Sequence, residues 1–491
     1  MAFGNFVKRV RDIMRMDAGI NGDAQRIEQM TWMIFLKAYD SAEETWETLD
    51  DTGTFTSIIP ERFRWRNWAD TSDDHGLKGE DLLKFVNNEL FPALQNLDLP
   101  AGCPKRQSIV KTVFEDIHNY MKDGVYFRQM LEVINDVDFA DPMETHAFGD
   151  IYEKILSGLQ SAGSAGEFYT PRALTDFMAA HVNLKLGDQI ADFACGTGGF
   201  LNSARKQLAD AAANGRNEDR ELLAASFHGI EKKPLPYLLC ITNLLLNGVD
   251  EPDIRHDNSL TRDITDYTSK DKFDVILMNP PYGGSEKPEI QNNFPERLRS
   301  AETADLFMIL IMKRLKATGR AAVVVPDGFL FGGGNKAEIK RDLLKKFNLH
   351  TIVRLPTSVF APYTPIATNM IFFDGTGPTK ETWFYRVDMP DGYKHFSKTK
   401  PMLLEHLGDL SAWWSNRRAV QIDGIDKARA FTPKELEALD FNFDQCGFSV
   451  EEEEILPPKE LIAKYQADRE AHEKVLDAAL SAILEKIGGE Q

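Results

Sequence analysis

Gln189-Ile190-Ala191-Asp192-Phe193 runs directly into Ala194-Cys195-Gly196-Thr197-Gly198-Gly199-Phe200-Leu201: a short apolar stretch, a glycine turn, then a helical pattern. Strand, turn and helix in that order form the opening unit of a doubly wound, mostly parallel α/β sheet. Glycines in such a turn permit positive φ and let a ligand approach the backbone, while unpaired amides at the helix start face whatever binds. Taken alone the turn is weak evidence, since similar turns close strands that bind nothing. The chain downstream strengthens it. Ala225-Ser226-Phe227-His228-Gly229-Ile230-Glu231 is a second strand-like run ending in a carboxylate, where a doubly wound sheet places the acceptor for ribose hydroxyls. Its separation from the glycines exceeds the roughly 20 residues of the dinucleotide pattern; a polar, alanine-rich helical stretch between Leu208 and Leu223 accounts for the excess. A third strand, Asp253-Ile254-Arg255-His256, carries Asp257 at its end, a position suited to accept a hydrogen bond from an adenine amino group.

Further on, the buried-strand pattern Phe273-Asp274-Val275-Ile276-Leu277-Met278 ends in Asn279-Pro280-Pro281-Tyr282. Each proline locks its own φ and restricts the residue before it to extended geometry, so the Asn279 side chain and the backbone carbonyls take one fixed arrangement. Two acceptors can then share one amino group, and Tyr282 offers an aromatic face for a base rotated out of a duplex. The bland reading is a strand end closed by a proline turn. The order argues against it: glycine turn, Glu231, Asp257 and the Asn-Pro-Pro-Tyr turn all fall at the carboxyl ends of successive strands, where ligand sites of open α/β sheets form.

On these residues the chain resembles the S-adenosylmethionine-dependent amino-methyltransferases that act on adenine in DNA, and within them the methylation subunit of type I restriction-modification systems. The resemblance extends to Gly166-Glu167-Phe168-Tyr169-Thr170-Pro171-Arg172, similar to the family's segment that contacts the methionine end of the cofactor, and to Asp192 through Phe200, with Phe193 where the family often has proline. Arg320 to Gly328 and Val353-Arg354-Leu355-Pro356 are similar to its later strands. The resemblance implies a class I methyltransferase fold and assigns cofactor binding to Glu167, Phe168, Tyr169, Thr170, Pro171, Arg172, Asp192, Gly196, Thr197, Gly198, Gly199, Glu231 and Asp257. Catalysis would fall to Asn279, Pro280, Pro281 and Tyr282. It also implies that sequence specificity comes from a separate specificity subunit clasped by two methylation subunits, with a restriction subunit as a further partner on duplex DNA. Adenine N6 is favoured over cytosine N4 only through the resemblance, because both amines fit the same acceptors.

A chain of 491 residues exceeds one ordinary domain. Residues 1–147 read as a helical domain, where Asp23 is a candidate cap and Ile27, Met30, Ile34 and Ala38 share one side. The catalytic α/β domain spans 148–430. A C-terminal helical segment for subunit assembly, 431–491, opens at Phe431-Thr432-Pro433-Lys434, contains the acidic run Glu451 to Glu454 and the Pro457-Pro458 break, and ends in a seam of Leu476, Leu480, Ile483 and Ile487. The longest apolar run, Leu306 to Met312, is far short of the ~20 residues of a membrane helix, so no membrane partner is expected. The cysteines, Cys103, Cys195, Cys240 and Cys446, show neither metal spacing nor a disulfide framework, and a reducing cytoplasm fits. The net charge of −19 resists a DNA enzyme acting alone, since duplex affinity comes largely from Lys and Arg on phosphates. Two basic clusters, Lys313, Arg314, Lys316 and Arg320, and Lys336, Lys340, Arg341, Lys345 and Lys346, read as solvated helix faces by default and otherwise as candidates for phosphate contact.

Two rival readings stand beside the first. An Asn-Pro-Pro-Tyr turn also suits a protein glutamine or a base in RNA. A non-catalytic assembly subunit would keep the fold, but here every cofactor- and amine-binding position is chemically competent.

Overall fold

The computed structural model describes all residues except 1–4, 54, 72–75, 159–168, 214, 446, 448–461, 463–464, 467–468, 470–472 and 475–491. The chain divides into two units, Met1–Cys446 and Gly447–Gln491. In the second, Ile462, Tyr465 and Arg469 are helical. The acidic run, the Pro457-Pro458 break and the Leu476 to Ile487 seam lie outside the described residues, as do Glu167 and Phe168.

The N-terminal part of the first unit is helical, built around Asp23–Leu49. Trp32, Phe35, Leu36 and Tyr39 recur on one face of that helix and are each 0–1% exposed. The Trp32 ring meets Phe91 edge-on at 5.1 Å and lies near Phe114 and Phe127. Asp23 does not cap this helix. Gly22 holds that position, and Asp23, the first helical residue, takes the Arg26 guanidinium at 2.6 Å; its charge still sits favourably in the first turn.

Ten strands form one sheet: β1 Ile190–Asp192, β2 Phe227–Glu231, β3 Asp253–His256, β4 Phe273–Met278, β5 Leu315–Pro326, β6 Asn348–Arg354, β7 Thr368–Asp374, β8 Thr382–Arg386, β9 Val420–Ile422 and β10 Ile425–Phe431. Their spatial order is β3-β2-β1-β4-β5-β7-β6-β8-β10-β9. The first five are parallel, β7 enters antiparallel between β5 and β6, β6 and β8 pair in parallel, and β10 and β9 continue antiparallel. This is the doubly wound, mostly parallel sheet expected from the glycine unit, extended by an antiparallel edge. Both faces are buried, so β4 reads as a continuous apolar run: Val275 and Leu277 enter one core, Ile276 and Met278 the other. The order reverses between β1 and β4, opening a crevice beyond their carboxyl ends.

The helix Gly199–Ala213 follows β1 and Pro234–Leu246 follows β2. The connection from β3 to β4 carries only the 3-10 turns Ile264–Asp266 and Ser269–Asp271 and, among the described residues, no α-helix.

Candidate active site

The glycine turn is shaped by two positive φ angles, 54° at Gly196 and 75° at Gly198. With the chain turned this way, the Gly196 amide donates to Glu231 Oε2 at 2.9 Å. The Lys233 amide donates to Glu231 Oε1 at 2.8 Å, so the carboxylate at the end of β2 is held from both sides with lone pairs to spare. Burial raises the pKa of Glu231, and the amides of Lys233 and Gly196 pull it back. Sheet register pairs Glu231 with His256, and the Asp257 amide donates to the Glu231 carbonyl at 3.0 Å, which sets exposed Asp257 beside the carboxylate. Asp192 is 1% exposed; burial pushes its carboxyl well up, against the Ala194 amide that it accepts at 3.1 Å.

Gly199 is required for a different reason. A Cβ there would lie 1.9 Å from Arg172 Nη1. Arg172 is locked in that place: Nε donates to Glu153 Oε2 at 2.5 Å, Nη2 donates to Thr197 Oγ1 at 3.2 Å, and the guanidinium lies 4.7 Å from the centre of the Tyr169 ring. Burial would push Glu153 up, but the Arg172 charge and hydrogen bonds from Asn243 and Asn202 hold its carboxyl below the ordinary range. Asn243 also donates to the Thr197 carbonyl at 3.0 Å, so this buried cluster fixes the glycine turn from below.

At the end of β4, Asn279 Nδ2 donates to Thr170 Oγ1 at 3.2 Å. Asn279 Oδ1 is buried and has no hydrogen-bond partner among the described residues. Half-buried Tyr282 meets Phe360 edge-on, with ring centres 6.1 Å apart, and burial raises the pKa of its hydroxyl, which stays protonated.

One cleft of about 520 Å³ brings these groups together. Of the residues expected from the sequence, Thr170, Arg172, Asp192, Gly196, Thr197, Gly199, Glu231, Asp257 and the whole Asn279 to Tyr282 turn line it. Gly198 shapes the turn from beneath: a Cβ there would sit 2.9 Å from Cys240 Sγ. Tyr169 and Pro171 are buried behind the wall. Sequence reasoning missed Phe360 and Tyr363, which enter the cleft from the β6–β7 loop, and Glu153 with Asn243. No local spacing links any of them to the motifs; only the aromatic character of Phe360 and Tyr363 was visible.

Residues 143–455 match the family model described as N-6 DNA Methylase, and residues 3–133 match that of the HsdM N-terminal domain. The chain is 46% identical over 472 residues to the methylase subunit of the type I restriction enzyme EcoEI from Escherichia coli, covering 96% of this chain and 95% of that one. Among solved structures, it resembles a modification subunit of a putative type I restriction enzyme from Vibrio vulnificus YJ016, with 42% identity, a TM-score of 0.77, and 88% and 92% of the two chains covered. A chain from a structure describing complex assembly and conformational transition of the type I R-M system aligns with 33% identity and a TM-score of 0.81, over 99% of this chain and 98% of that one.

Proposed function

The chain belongs to the N-6 DNA methylase family, as a methylase subunit of the type I restriction enzyme kind, and on that premise we propose that it transfers a methyl group from S-adenosylmethionine to N6 of an adenine flipped out of duplex DNA. The observation that carries the reading is the unpartnered Asn279 Oδ1, a buried acceptor on the same cleft as the glycine cradle and Glu231. A buried carbonyl without a donor costs about 1–3 kcal/mol, a cost that an incoming amino group removes.

The residues fit the cofactor. The glycine turn is closed to side chains at Gly198 and Gly199, and Glu231 and Asp257 stand side by side as acceptors. In this reading Glu231 accepts ribose hydroxyls, Asp257 reads the cofactor adenine, and Thr170, Arg172 and Thr197 order the wall between cofactor and base. Glu167 and Phe168 are assigned to cofactor binding by the family resemblance alone. The bound cofactor supplies an electrophilic methyl on a good neutral leaving group.

An exocyclic amine is a poor nucleophile because its lone pair is delocalised into the ring. Asn279 Oδ1 and the Pro280 carbonyl accept its two protons, favour a pyramidal nitrogen and aim the lone pair across the cleft. Pro281 and Pro280 keep these acceptors rigid. Tyr282 stacks on the base, and Phe360 braces its ring. No strong general base is needed.

Specificity comes in trans in this reading: two methylation subunits hold one specificity subunit, and the assembly recruits a restriction subunit. A net charge of −19 supports a partner that supplies much of the grip on DNA. Division into a helical domain over 1–147, a catalytic domain over 148–430 and an assembly segment over 431–491 accompanies this proposal, as does a cytoplasmic location. No helix among the described residues is long and apolar enough to cross a membrane. The test is to incubate the chain with its specificity subunit, duplex DNA and methyl-labelled cofactor, then identify the labelled nucleoside by mass spectrometry. N6-methyl-2′-deoxyadenosine is expected; label on deoxycytidine, RNA or protein alone would overturn the reading.

A further inference from the structure

A second concavity, of about 600 Å³, is lined mainly by residues of β2, β3 and the helix-free β3–β4 connection. It is reached near the amino ends of the strands, since Gln189 precedes β1 and Lys272 precedes β4 on its wall. The cleft of Asn279 lies beyond the opposite, carboxyl ends. On a chain carrying net −19, this groove is lined by six basic side chains, Lys105, Arg255, Lys270, Lys272, Arg314 and Lys316, against the carboxylates of Asp253 and Asp271.

Two of the six are ion-paired and a third is held by a backbone carbonyl. Lys105 Nζ pairs with Asp253 at 2.5 Å, Lys316 Nζ with Asp274 at 2.7 Å, and Arg314 Nε donates to the Asp271 carbonyl at 2.5 Å. Arg314 is 4% exposed, lies over the Phe193, Tyr267 and Phe273 rings, and leaves Nη1 buried without a hydrogen-bond partner among the described residues. Burial lowers the pKa of its guanidinium, against Tyr267 and the Asp271 carboxylate, which raise it, and the nearby Arg255 charge adds a smaller lowering. Arg255, Lys270 and Lys272 have no ion-pair partner among the described residues. His228 is spoken for: its ring nitrogens face Asp253 at 2.6 Å and Gln189 at 2.7 Å.

The cations left without an ion-pair partner repel one another, and a concave wall concentrates their field. An anion relieves both. The volume falls within the ~300–1,000 Å³ of small-ligand sites, which suits a compact ligand better than an extended backbone. We propose that this groove is a second binding site, for a small polyphosphate anion held by Arg255, Lys270 and Lys272 above the Arg314 floor. It stands independently of the methyl-transfer reading.

Calorimetric titration of inorganic tripolyphosphate into the full chain tests it. Saturable, salt-weakened binding is expected, falling by about ten-fold or more when Arg255→Glu, Lys270→Glu and Lys272→Glu are combined. The matched reversal Lys206→Glu, Arg216→Glu and Arg220→Glu, at exposed positions on or beside the helices Gly199–Ala213 and Asn217–Ala224, should leave affinity within about two-fold, which separates a local site from overall charge. If the groove reversal fails to fold, the corresponding glutamine variant carries the same test. Absence of saturable binding, equal loss in both charge sets, or a groove that affects duplex DNA affinity without taking tripolyphosphate would each overturn the proposal.

Discussion

Thr170 accepts a hydrogen bond from the Asn279 amide nitrogen at 3.2 Å, and that contact decides which end of the amide is left for a ligand. With Nδ2 committed, Oδ1 is the atom without a partner. Removing the acceptor while keeping the shape, as in Thr170→Val, frees the amide to rotate. Methyl transfer should slow about ten-fold, the worth of one positioning hydrogen bond, and Thr170→Ser should recover most of it. Single-turnover rates for the two variants check this; equal rates for valine and serine would refute it.

Gly199→Ala places a methyl where Arg172 Nη1 stands. Because Glu153 and Thr197 fix that guanidinium, it cannot swing aside without breaking the cluster beneath the glycine turn. Affinity for S-adenosylmethionine should drop about ten-fold or more, read by calorimetry. An unchanged affinity would show that the turn does not hold the cofactor.

The strand-turn-helix unit and the rigid Asn279 turn were legible because local rules alone write them: glycine for positive φ, proline for fixed φ, a buried strand for a continuous apolar run. The partners of the basic clusters were not. Lys340, read as a solvated position, is 0% exposed and donates to the Leu330 and Gly332 carbonyls, while Arg320 pairs with Asp188 and Lys336 with Asp305. The two ion pairs join residues 132 and 31 apart in sequence that only the folded chain brings together. Phe360 was illegible for the same reason: it reaches Tyr282 only because β7 inserts beside β5 and returns the β6–β7 loop over the carboxyl edge.

Glu153→Ala would leave the Arg172 guanidinium buried without its carboxylate, at a cost of about 3–5 kcal/mol. The sign with pH follows from the lowered Glu153 pKa. The folded state binds the proton more weakly than the unfolded chain, so the stabilisation is full above the unfolded value and is lost as pH falls through the folded one. Wild type should therefore lose more stability on acidification than Glu153→Gln does. Thermal midpoints of both proteins from neutral to acid pH measure it, and parallel curves would count against the pair.

Glu43 gives the opposite slope. Burial raises its pKa to about 6, although the Ser57 hydroxyl donates to both oxygens, at 2.7 and 2.8 Å. Here the folded state holds the proton more tightly, so its contribution is present below the unfolded value and is lost as pH rises through about 6. Unfolding free energy should fall by roughly 2 kcal/mol across that window in wild type relative to Glu43→Gln. Denaturant titrations on either side of the window decide it; identical pH slopes would be inconsistent with an elevated Glu43.

The central claim is that Asn279 acts on the amino group and not on the cofactor. The most direct measurement pairs single-turnover methylation of duplex DNA by Asn279→Ala, assembled with its specificity subunit, with calorimetric affinity for S-adenosylmethionine. The account predicts a rate lower by about 10²–10³, the usual effect of deleting one transition-state hydrogen-bonding group, with cofactor affinity nearly unchanged. Near-normal transfer, or a loss of cofactor binding that matches the loss of rate, would contradict it.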